Sequence, residues 1–304
     1  MLYASIKAMT ERKEPEDLMT VDIEKLREHI GTKVESIDVA TAAPLRGMIV
    51  TFGRDEEAPK QGEPIAPGWH RCYFLPMTPP EGLGADGLPL STGVLPKMPF
   101  PRRMFAGTKH EFQKPIKVGD KLRRETELAD IQLREGSTGA LIFTTIVSRI
   151  YGPEGLAMEE EAAGVFREEV RTGEKSGVPK REAPPANLPW RRTIAADPVS
   201  LFRYSALTFN PHRIHYDRPY AMDIEGYPGL VVHGPYSSQC LLDFARDHGG
   251  GRNLKSYAMR ARAPLFDNDP FQVVGRPIKD GEGCELWAIT PQGTIAMAAT
   301  VTYH

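Results

Sequence analysis

The strongest constraint on the fold is a set of long alternating segments, separated by short glycine turns, toward the end of each half of the chain. In the N-terminal half, segments 121–135 and 140–151 flank a GSTG turn, and the second is rich in β-branched and aromatic residues. Near the C-terminus, segments 271–278, 284–290 and 295–304 are separated by DGEG and PQGT turns. Segments of this kind are typical of antiparallel meanders. The 28 glycines and 27 prolines among 304 residues fit a chain that turns often.

Three segments have helical patterns. The segment Asp22–Gly31 has apolar residues at helical spacing and a terminal glycine, which predicts a short amphipathic helix. The segment Asp197–Phe209 begins with a capping aspartate followed by proline, as helices often do. A third helix is predicted from Pro235 to Gly249.

A short internal similarity links the two halves. The sequence VTFG at 50–53 and the sequence LTFN at 207–210 each end a candidate helix, and a meander follows each. The shared order predicts an α+β fold in which a curved antiparallel sheet wraps around a helix, and it predicts that this fold occurs twice.

One linker stands out at 172–190, which carries charges, four prolines and few apolar residues. At roughly 150 residues per domain, the length suggests about two domains. We therefore predict an N-terminal repeat at 1–171 and a C-terminal repeat at 191–304.

The overall composition excludes several classes of function. A formal net charge of −2 offers no bulk attraction for nucleic acid or an anionic membrane. Cys72, Cys240 and Cys284 are too widely spaced for a disulfide framework or a CxxC metal pair. No stretch approaches the ~18 apolar residues of a membrane span. The sequence predicts a cytoplasmic protein.

The densest cluster of reactive side chains is the segment 208–217, which contains two histidines. A third histidine, His233, ends the apolar run GYPGLVV and precedes Gly234 at a predicted helix start. The cluster has two readings at this point. It is either a solvated polar loop or a site in which burial tunes a histidine pKa and the helix N-terminus stabilises an oxyanion.

The sequence RYSALTFNPHRIHYDRPYA followed by GYPGLVVHGP resembles the active-site signature of the MaoC-like hydratases and dehydratases, which have the hot-dog fold. It is most similar to their double-hot-dog group, the 3-methylfumaryl-CoA (mesaconyl-CoA) hydratases and hydroxyacyl-thioester dehydratases. The similarity is strongest over 200–245 and weaker in the segments LGADGLP, PFPRRMFAG and MRARAPLF.

The resemblance assigns roles to four residues of the loop. The usual signature Asp-x-Asn-Pro-x-His-x-Asp places the catalytic histidine on His215 and the trailing aspartate on Asp217. The catalytic aspartate falls on Asn210, and the usual asparagine falls on His212. An amide cannot act as a general base, although it can position a water molecule. His215 is therefore predicted as the acid and base, Asn210 as the residue that positions water, and the role of His212 stays open.

The resemblance also implies that the Gly234 N–H binds the thioester carbonyl and stabilises an enolate, where the alternative is a plain turn before the helix. The first repeat has Gly53 in the position of Asn210 and Ala58 in the position of His215, and no His-Gly pair follows. We expect one active centre per chain, with the first repeat shaping the pocket for the acyl group and the pantetheine arm.

Basic residues are candidates for binding coenzyme A phosphates or a substrate carboxylate, although a solvated charged face is the commoner meaning of such pairs. The predicted substrate-binding residues are Arg102, Arg103, His212, Arg213, Asp217, His233, Arg260 and Arg262.

Two other classes of function stay open. His212, His215, Asp217 and His233 have the donor atoms of a non-haem metal site, and the missing aspartate allows a non-catalytic acyl-thioester binding protein. The letters of a dinucleotide fingerprint at 82–87 lack the flanking strand and helix and predict only a loop.

The favoured interpretation is a metal-free hydro-lyase that reversibly hydrates an enoyl-CoA to a 3-hydroxyacyl-CoA. A short branched or dicarboxylic substrate is expected, such as 3-methylfumaryl-CoA, which would give citramalyl-CoA. The interpretation includes no cofactor besides the acyl-CoA substrate, and it allows a homo-oligomer. The acyl chain, the physiological direction and the choice between coenzyme A and a carrier protein stay open.

Overall fold

Ten antiparallel strands form a single sheet in the computed structural model, which describes residues 21–136, 139–168, 182–278 and 281–304. The strands of the first half are β1 Lys33–Val39, β2 Arg102–Phe112, β3 Lys121–Gly136, β4 Gly139–Gly152 and β5 Gly155–Arg167. Those of the second half are β6 Trp190–Ile194, β7 Leu254–Ala261, β8 Phe271–Pro277, β9 Gly283–Ile289 and β10 Ile295–Tyr303. Both predicted meanders are present.

The strand order shows that the fold is duplicated. Across the sheet the order is β1-β3-β4-β5-β2-β7-β10-β9-β8-β6. Read from its outer edge, each half has its first, third, fourth, fifth and second strands in that order. The halves join where β2 pairs with β7, in a register that runs from Gly107↔Arg260 to Glu111↔Ser256. The predicted repetition of one α+β unit is confirmed, and the two units share one continuous sheet.

Four α-helices accompany the sheet in the described residues: α1 Ile23–Arg27, α2 Ala42–Thr51, α3 Pro198–Thr208 and α4 Gly234–His248. The three predicted helices correspond to α1, α3 and α4. Asp197 caps α3 by accepting a hydrogen bond from the Ser200 N–H at 2.7 Å. The helix α1 is shorter than predicted, and Gly31 after it has a φ of +87°, a conformation that suits glycine.

The main core lies between the sheet and the helices α2, α3 and α4. On β7 the buried residues Leu254, Tyr257 and Met259 face this core, while Lys255 and Ala258 are exposed. The helix α4 buries ten consecutive residues from Tyr236 to Ala245. A helix buried on nearly all sides must lie inside the fold, so the sheet wraps around it.

The two similar segments, VTFG at 50–53 and LTFN at 207–210, lie where helices from the two halves meet. VTFG spans the end of α2, and LTFN spans the end of α3. A side chain at Gly47 on α2 would place its Cβ 2.5 Å from Leu207 on α3. Phe52 stacks on Tyr236 of α4, with ring centroids 4.6 Å apart. The similar ends of these two helices therefore belong to the packing of one half on the other.

The predicted linker falls partly outside the described residues, which omit 169–181. Its remainder, 182–189, contains no helix or strand, and Trp190 begins β6. The domain boundaries at 171 and 191 stay a prediction. None of the helices in the described part of the chain has the length and apolar character needed to span a bilayer.

Candidate active site

A tight turn after α3 brings the predicted motif loop back into the fold. Phe209 adopts a left-handed conformation with a φ of +49° and ends the helix. The Asn210 N–H then donates to the Ser205 carbonyl at 2.8 Å, and the Asn210 side-chain oxygen accepts from the His212 N–H at 3.0 Å. Such side-chain turns are a common role of asparagine. The amide oxygen of Asn210 is thus engaged by the backbone, which leaves its N–H groups for other partners.

Three histidines meet in the interior below this turn. The rings of His215 and His233 stack with centroids 3.7 Å apart and an interplanar angle of 21°. The ring of His212 meets that of His215 edge-on, with centroids 5.3 Å apart. All three side chains are buried. The reading of the loop as solvated is therefore wrong for its histidines.

The hydrogen bond of His215 determines its tautomer. Its Nδ1 lies 2.7 Å from the Val231 carbonyl oxygen, which can only accept, so Nδ1 carries the proton. In the neutral ring Nε2 is then an acceptor. Burial lowers the pKa of His215 from 6.5 to about 4, although the bond to Val231 opposes this shift. His215 is a neutral base at neutral pH.

The neighbouring histidines are neutral for the same reason. Burial, together with the nearby charges of His215 and Arg103, lowers the pKa of His212 to about 3. Burial also holds the pKa of His233 well below its usual range. The His233 Nε2 lies 2.8 Å from the Ser205 hydroxyl, which links it to α3. The cluster carries no positive charge at neutral pH, which allows three imidazoles to pack together.

The N-terminus of α4 opens beside this cluster at Gly234. A Cβ at this position would lie 2.4 Å from the Phe105 ring of β2, so no side chain fits there. No side chain of the described residues caps this helix N-terminus. The first N–H groups of a helix stabilise negative charge, and a glycine allows a ligand oxygen to approach them closely. Gly234 therefore begins a helix whose N-terminus has no side-chain cap, and its role in binding an oxyanion stays a prediction.

The first half of the chain supplies a wall of the site. The Asp86 carbonyl accepts from the Arg213 N–H at 2.8 Å, and a Cβ on Gly87 would lie 2.1 Å from the Pro211 carbonyl oxygen. The Asp86 carboxylate lies 4.0 Å from the His212 Nε2. The glycine-rich segment 82–87 is the loop that was predicted and not the phosphate-binding start of a helix.

A small, partly open cavity lies between this wall, the end of β2 and the motif loop. Its lining consists of Asp86, Pro101, Arg102, Arg103, Met104, His212, Ile214, Glu225 and Tyr227. Sequence analysis identified Arg102, Arg103 and His212 in this set. It missed Asp86, Glu225 and Tyr227, and also Ser205 and Phe105, although the segments LGADGLP and PFPRRMFAG contain two of these five residues.

Two of the predicted binding arginines already have carboxylate partners in or beside this cavity. Arg102 pairs with Glu225 at 2.7 Å, and Arg213 pairs with Asp217 at 2.8 Å. Asp217 also accepts from the Tyr220 N–H, and the Arg213 guanidinium lowers the pKa of the Asp217 carboxyl. Arg213 and Asp217 therefore hold the motif loop together.

Two more of the five predicted arginines lie outside the cavity lining. Arg260 is exposed near the end of β7, and Arg262 is exposed and pairs with Glu182. Neither lines the cavity. Their part in substrate binding stays a prediction.

The alternative of a metal site is not favoured by this arrangement. Across residues 21–136, 139–168, 182–278 and 281–304, no three His, Cys, Asp or Glu side chains are grouped as metal ligands. The proposed ligand Asp217 is bound by Arg213 instead, and the His215 Nδ1 proton is donated to a carbonyl.

Comparisons with known proteins agree with this geometry. Residues 68–267 match the family described as hydroxyacyl-thioester dehydratase type 2. A mesaconyl-C(4)-CoA hydratase from Chloroflexus aurantiacus is 45% identical over 245 residues, which are 80% of this chain and 85% of that protein.

Two solved structures share the fold. A MaoC-like dehydratase from Phytophthora capsici superposes with a TM-score of 0.68 at 16% identity, over 93% of this chain and 99% of that chain. A Mycobacterium tuberculosis protein described as a double hot-dog fold superposes with a TM-score of 0.56 at 11% identity, over 90% of this chain and 96% of that chain. The predicted double hot-dog fold is confirmed. With two thirds of its length matched, the chain belongs to the hydroxyacyl-thioester dehydratase type 2 family and is an acyl-thioester hydratase or dehydratase.

Proposed function

We propose that this chain reversibly hydrates a short dicarboxylic enoyl-CoA, with 3-methylfumaryl-CoA as substrate and citramalyl-CoA as product. The observation that carries the proposal is a neutral, buried His215 whose Nδ1 proton is committed to Val231, close to a helix that begins with an uncapped glycine. The similarity to the Chloroflexus aurantiacus hydratase supports the choice of acyl chain.

In the hydration direction, the thioester carbonyl oxygen accepts a hydrogen bond from the Gly234 N–H. Water adds its oxygen to the β-carbon, and one proton of that water passes to the His215 Nε2. The π electrons of the double bond move toward the thioester and form an enolate, which the N-terminus of α4 stabilises. His215 then returns its proton to the α-carbon. Dehydration is the same sequence in reverse, so His215 acts as both acid and base.

Asn210 is proposed to position the water. Its amide oxygen is occupied by the His212 N–H, so the Asn210 amide N–H groups can donate to the water oxygen. This orientation directs the protons of the water toward a base, and His215 is the base proposed here. The carboxylate that the usual signature has at this position is not needed for that task.

The proposal includes no cofactor and no metal besides the acyl-CoA substrate, because imidazole and backbone N–H groups supply the acid–base chemistry. Full activity after dialysis against a chelator supports this part, and an activity-linked stoichiometric ion contradicts it. We also propose that coenzyme A, and not a carrier protein, carries the acyl group. We further propose a cytoplasmic location. The chain is also proposed to form a homo-oligomer, and sedimentation of the purified protein tests this.

The test is hydration of a panel of enoyl-CoAs by the wild-type protein and by His215→Ala. General acid–base catalysis contributes roughly 10²- to 10⁴-fold, so we expect His215→Ala to lose about that much turnover while Asn210→Ala loses less. His29→Ala, at an exposed histidine after α1, serves as the control and keeps full activity. Near-normal turnover by a folded His215→Ala variant overturns the assignment. Binding of acyl-CoAs without any turnover favours a binding protein instead.

A further inference from the structure

Arg103 is the cavity arginine whose charge has no close partner. It lies on β2 opposite Phe166 of β5, and its guanidinium carbon is 5.7 Å from the centre of the Phe166 ring. Arg102 and Arg213 each bind a carboxylate, as described above. Among the described residues, no carboxylate oxygen lies within 4.0 Å of the Arg103 guanidinium. Asp86 is the acidic residue whose charge acts on it most, from a greater distance.

The position of Arg103 costs free energy in the protein alone. Arg103 is half-buried, and the partial loss of water around its guanidinium lowers the pKa of that group. A cation removed from water without a close anion is unfavourable unless a ligand supplies that anion. The cavity of the site is the place from which such a ligand reaches it, because Arg103 and His212 both line it.

The strand places Arg103 on the same side as the proposed oxyanion site. Residues two apart on a strand face the same way, so Arg103 and Phe105 share a face of β2. The Phe105 ring packs directly against Gly234. The guanidinium therefore lies on the face of β2 that is turned toward the carbonyl-binding end of the site.

A dicarboxylic substrate of this kind holds its free carboxylate close to its thioester. The terminal carbons of a trans-butenedioyl unit are about 3.8 Å apart, the same separation as two Cα atoms across a planar trans peptide. A carboxylate on the β-carbon therefore extends only a few ångströms beyond the thioester. It lies next to the carbon that water attacks, which the proposed mechanism places beside His215 and His212.

We infer that Arg103 binds the free carboxylate of the substrate and makes the site specific for dicarboxylic enoyl-CoAs. This inference rests on the proposed function and adds the residue that selects among its substrates. Arginine suits the task, because its planar guanidinium binds both oxygens of a carboxylate and stays charged where a lysine would lose its proton more readily.

The experiment compares pairs of compounds that differ only by a carboxylate in place of a methyl group. Hydration is measured with 3-methylfumaryl-CoA and 3-methylcrotonyl-CoA. Calorimetry measures binding of their saturated analogues, 3-carboxybutyryl-CoA and isovaleryl-CoA, which needs no turnover. The variants are Arg103→Met, which keeps the length of the side chain, and Arg103→Lys. Arg46→Met, at an exposed arginine of α2, is the matched control.

We expect Arg103→Met to lose about 10- to 100-fold in kcat/KM and affinity for the dicarboxylic compound of each pair, the range typical of hydrogen bonds to a charged group. Its affinity for isovaleryl-CoA stays within threefold of wild type. Arg103→Lys retains part of the preference, and Arg46→Met retains all of it.

Two failures are distinguishable. If the wild-type protein prefers the dicarboxylic compounds and Arg103→Met keeps that preference, the inference is wrong and the proposed function stands. If the wild-type protein treats both members of each pair alike, both the inference and the dicarboxylic substrate are wrong, while the hydratase activity stands. If Arg103→Met is too unstable to assay, Arg103→Lys provides the test. An unchanged preference of Arg103→Lys for the dicarboxylic compounds contradicts a bidentate contact between Arg103 and the carboxylate.

Discussion

At the scale of single residues, the chemistry depends on how a histidine is kept neutral. Among the described residues, no carboxylate pairs with His215, and Asn210 stands in the position of the usual aspartate. Burial disfavours its imidazolium, and the Val231 carbonyl fixes the proton on Nδ1. Burial and the hydrogen bond to Val231 together leave a free lone pair on the His215 Nε2 at neutral pH. His215 is therefore available as a base without carrying a charge itself.

The pH dependence of hydration should show that His215 stays neutral down to acidic pH. A lowered pKa means that the active, neutral form of His215 persists to lower pH than that of an exposed histidine. We expect kcat/KM to stay on its plateau down to about pH 5, with an acid limb centred near 4 instead of near 6.5. Stopped-flow measurements, with folding monitored by circular dichroism at each pH, provide the profile. An acid limb near 6.5 in folded protein contradicts the buried neutral base.

At the scale of secondary-structure elements, the site depends on how closely α4 approaches β2. The first residue of α4 packs against the Phe105 ring, and only a glycine leaves room for this contact. Phe105 lies two residues after Arg103 on β2, so the helix N-terminus packs on the strand that also carries Arg103. The loop 82–87 closes the opposite side through contacts of Asp86 and Gly87 with the motif loop.

A side chain at Gly234 tests this contact. We expect Gly234→Ala to destabilise the fold by about 1–3 kcal/mol, as overpacking typically does, and to lower kcat/KM because the helix N-terminus is displaced. Phe105→Leu replaces the opposing ring with a smaller side chain. The double variant Gly234→Ala/Phe105→Leu should therefore recover part of the lost stability and part of the lost kcat/KM. Chemical unfolding and turnover of the four proteins in this cycle measure the coupling. Strictly additive effects would show that the two residues do not meet.

At the scale of the whole molecule, the two repeats bury different polar clusters. The second repeat buries three neutral histidines. In the first repeat, the Glu160 carboxylate of β5 binds Arg71, accepts from the His70 Nε2 at 3.1 Å, and lies 3.7 Å from the His110 Nε2. Arg71 lowers the pKa of Glu160, whereas burial lowers the pKa of His70 to about 4. His70 and the three histidines of the second repeat therefore take up protons only at a pH well below the pKa of an exposed histidine.

Acid should therefore destabilise the fold at a pH where most proteins are still stable. In the unfolded chain, histidines bind protons below about pH 6.5, but in the fold His70 and His215 do so only near 4. Because the unfolded state binds more protons between these values, stability falls with falling pH, by up to about 1.4 kcal/mol per pH unit for each histidine. Urea unfolding at pH 7, 6 and 5 measures the slope.

The variant His70→Gln isolates one contribution, since its amide N–H can still donate to Glu160. We expect its free energy of unfolding to fall less steeply between pH 6.5 and 5 than that of the wild type. Identical slopes in the two proteins would show that His70 is not neutral in the fold.

How much could be predicted from sequence differed between fold and site. The meanders, the helices α3 and α4 and the repetition of one unit follow from local periodicity, caps and turns, which act over a few residues. The motif loop and Gly234 were recognisable through their resemblance to the MaoC-like signature, which is a contiguous stretch of sequence. The residues that contact them from other parts of the chain could not be predicted. Asp86, Phe105 and Ser205 reach the site from other elements, and His70 and Glu160 are 90 positions apart.

The sequence by itself determined the duplicated α+β fold, because alternation, capping and turn chemistry are encoded within each short segment. The motif residues were identified from the sequence through their resemblance to the MaoC-like signature. Only the tertiary structure decided which charges are paired. It neutralises Arg102 with Glu225 and Arg213 with Asp217, leaves Arg103 facing the cavity, and stacks His215 on His233 away from water. Burial and the distance between charges depend on contacts between segments that are remote in the chain, and a linear pattern does not contain those contacts.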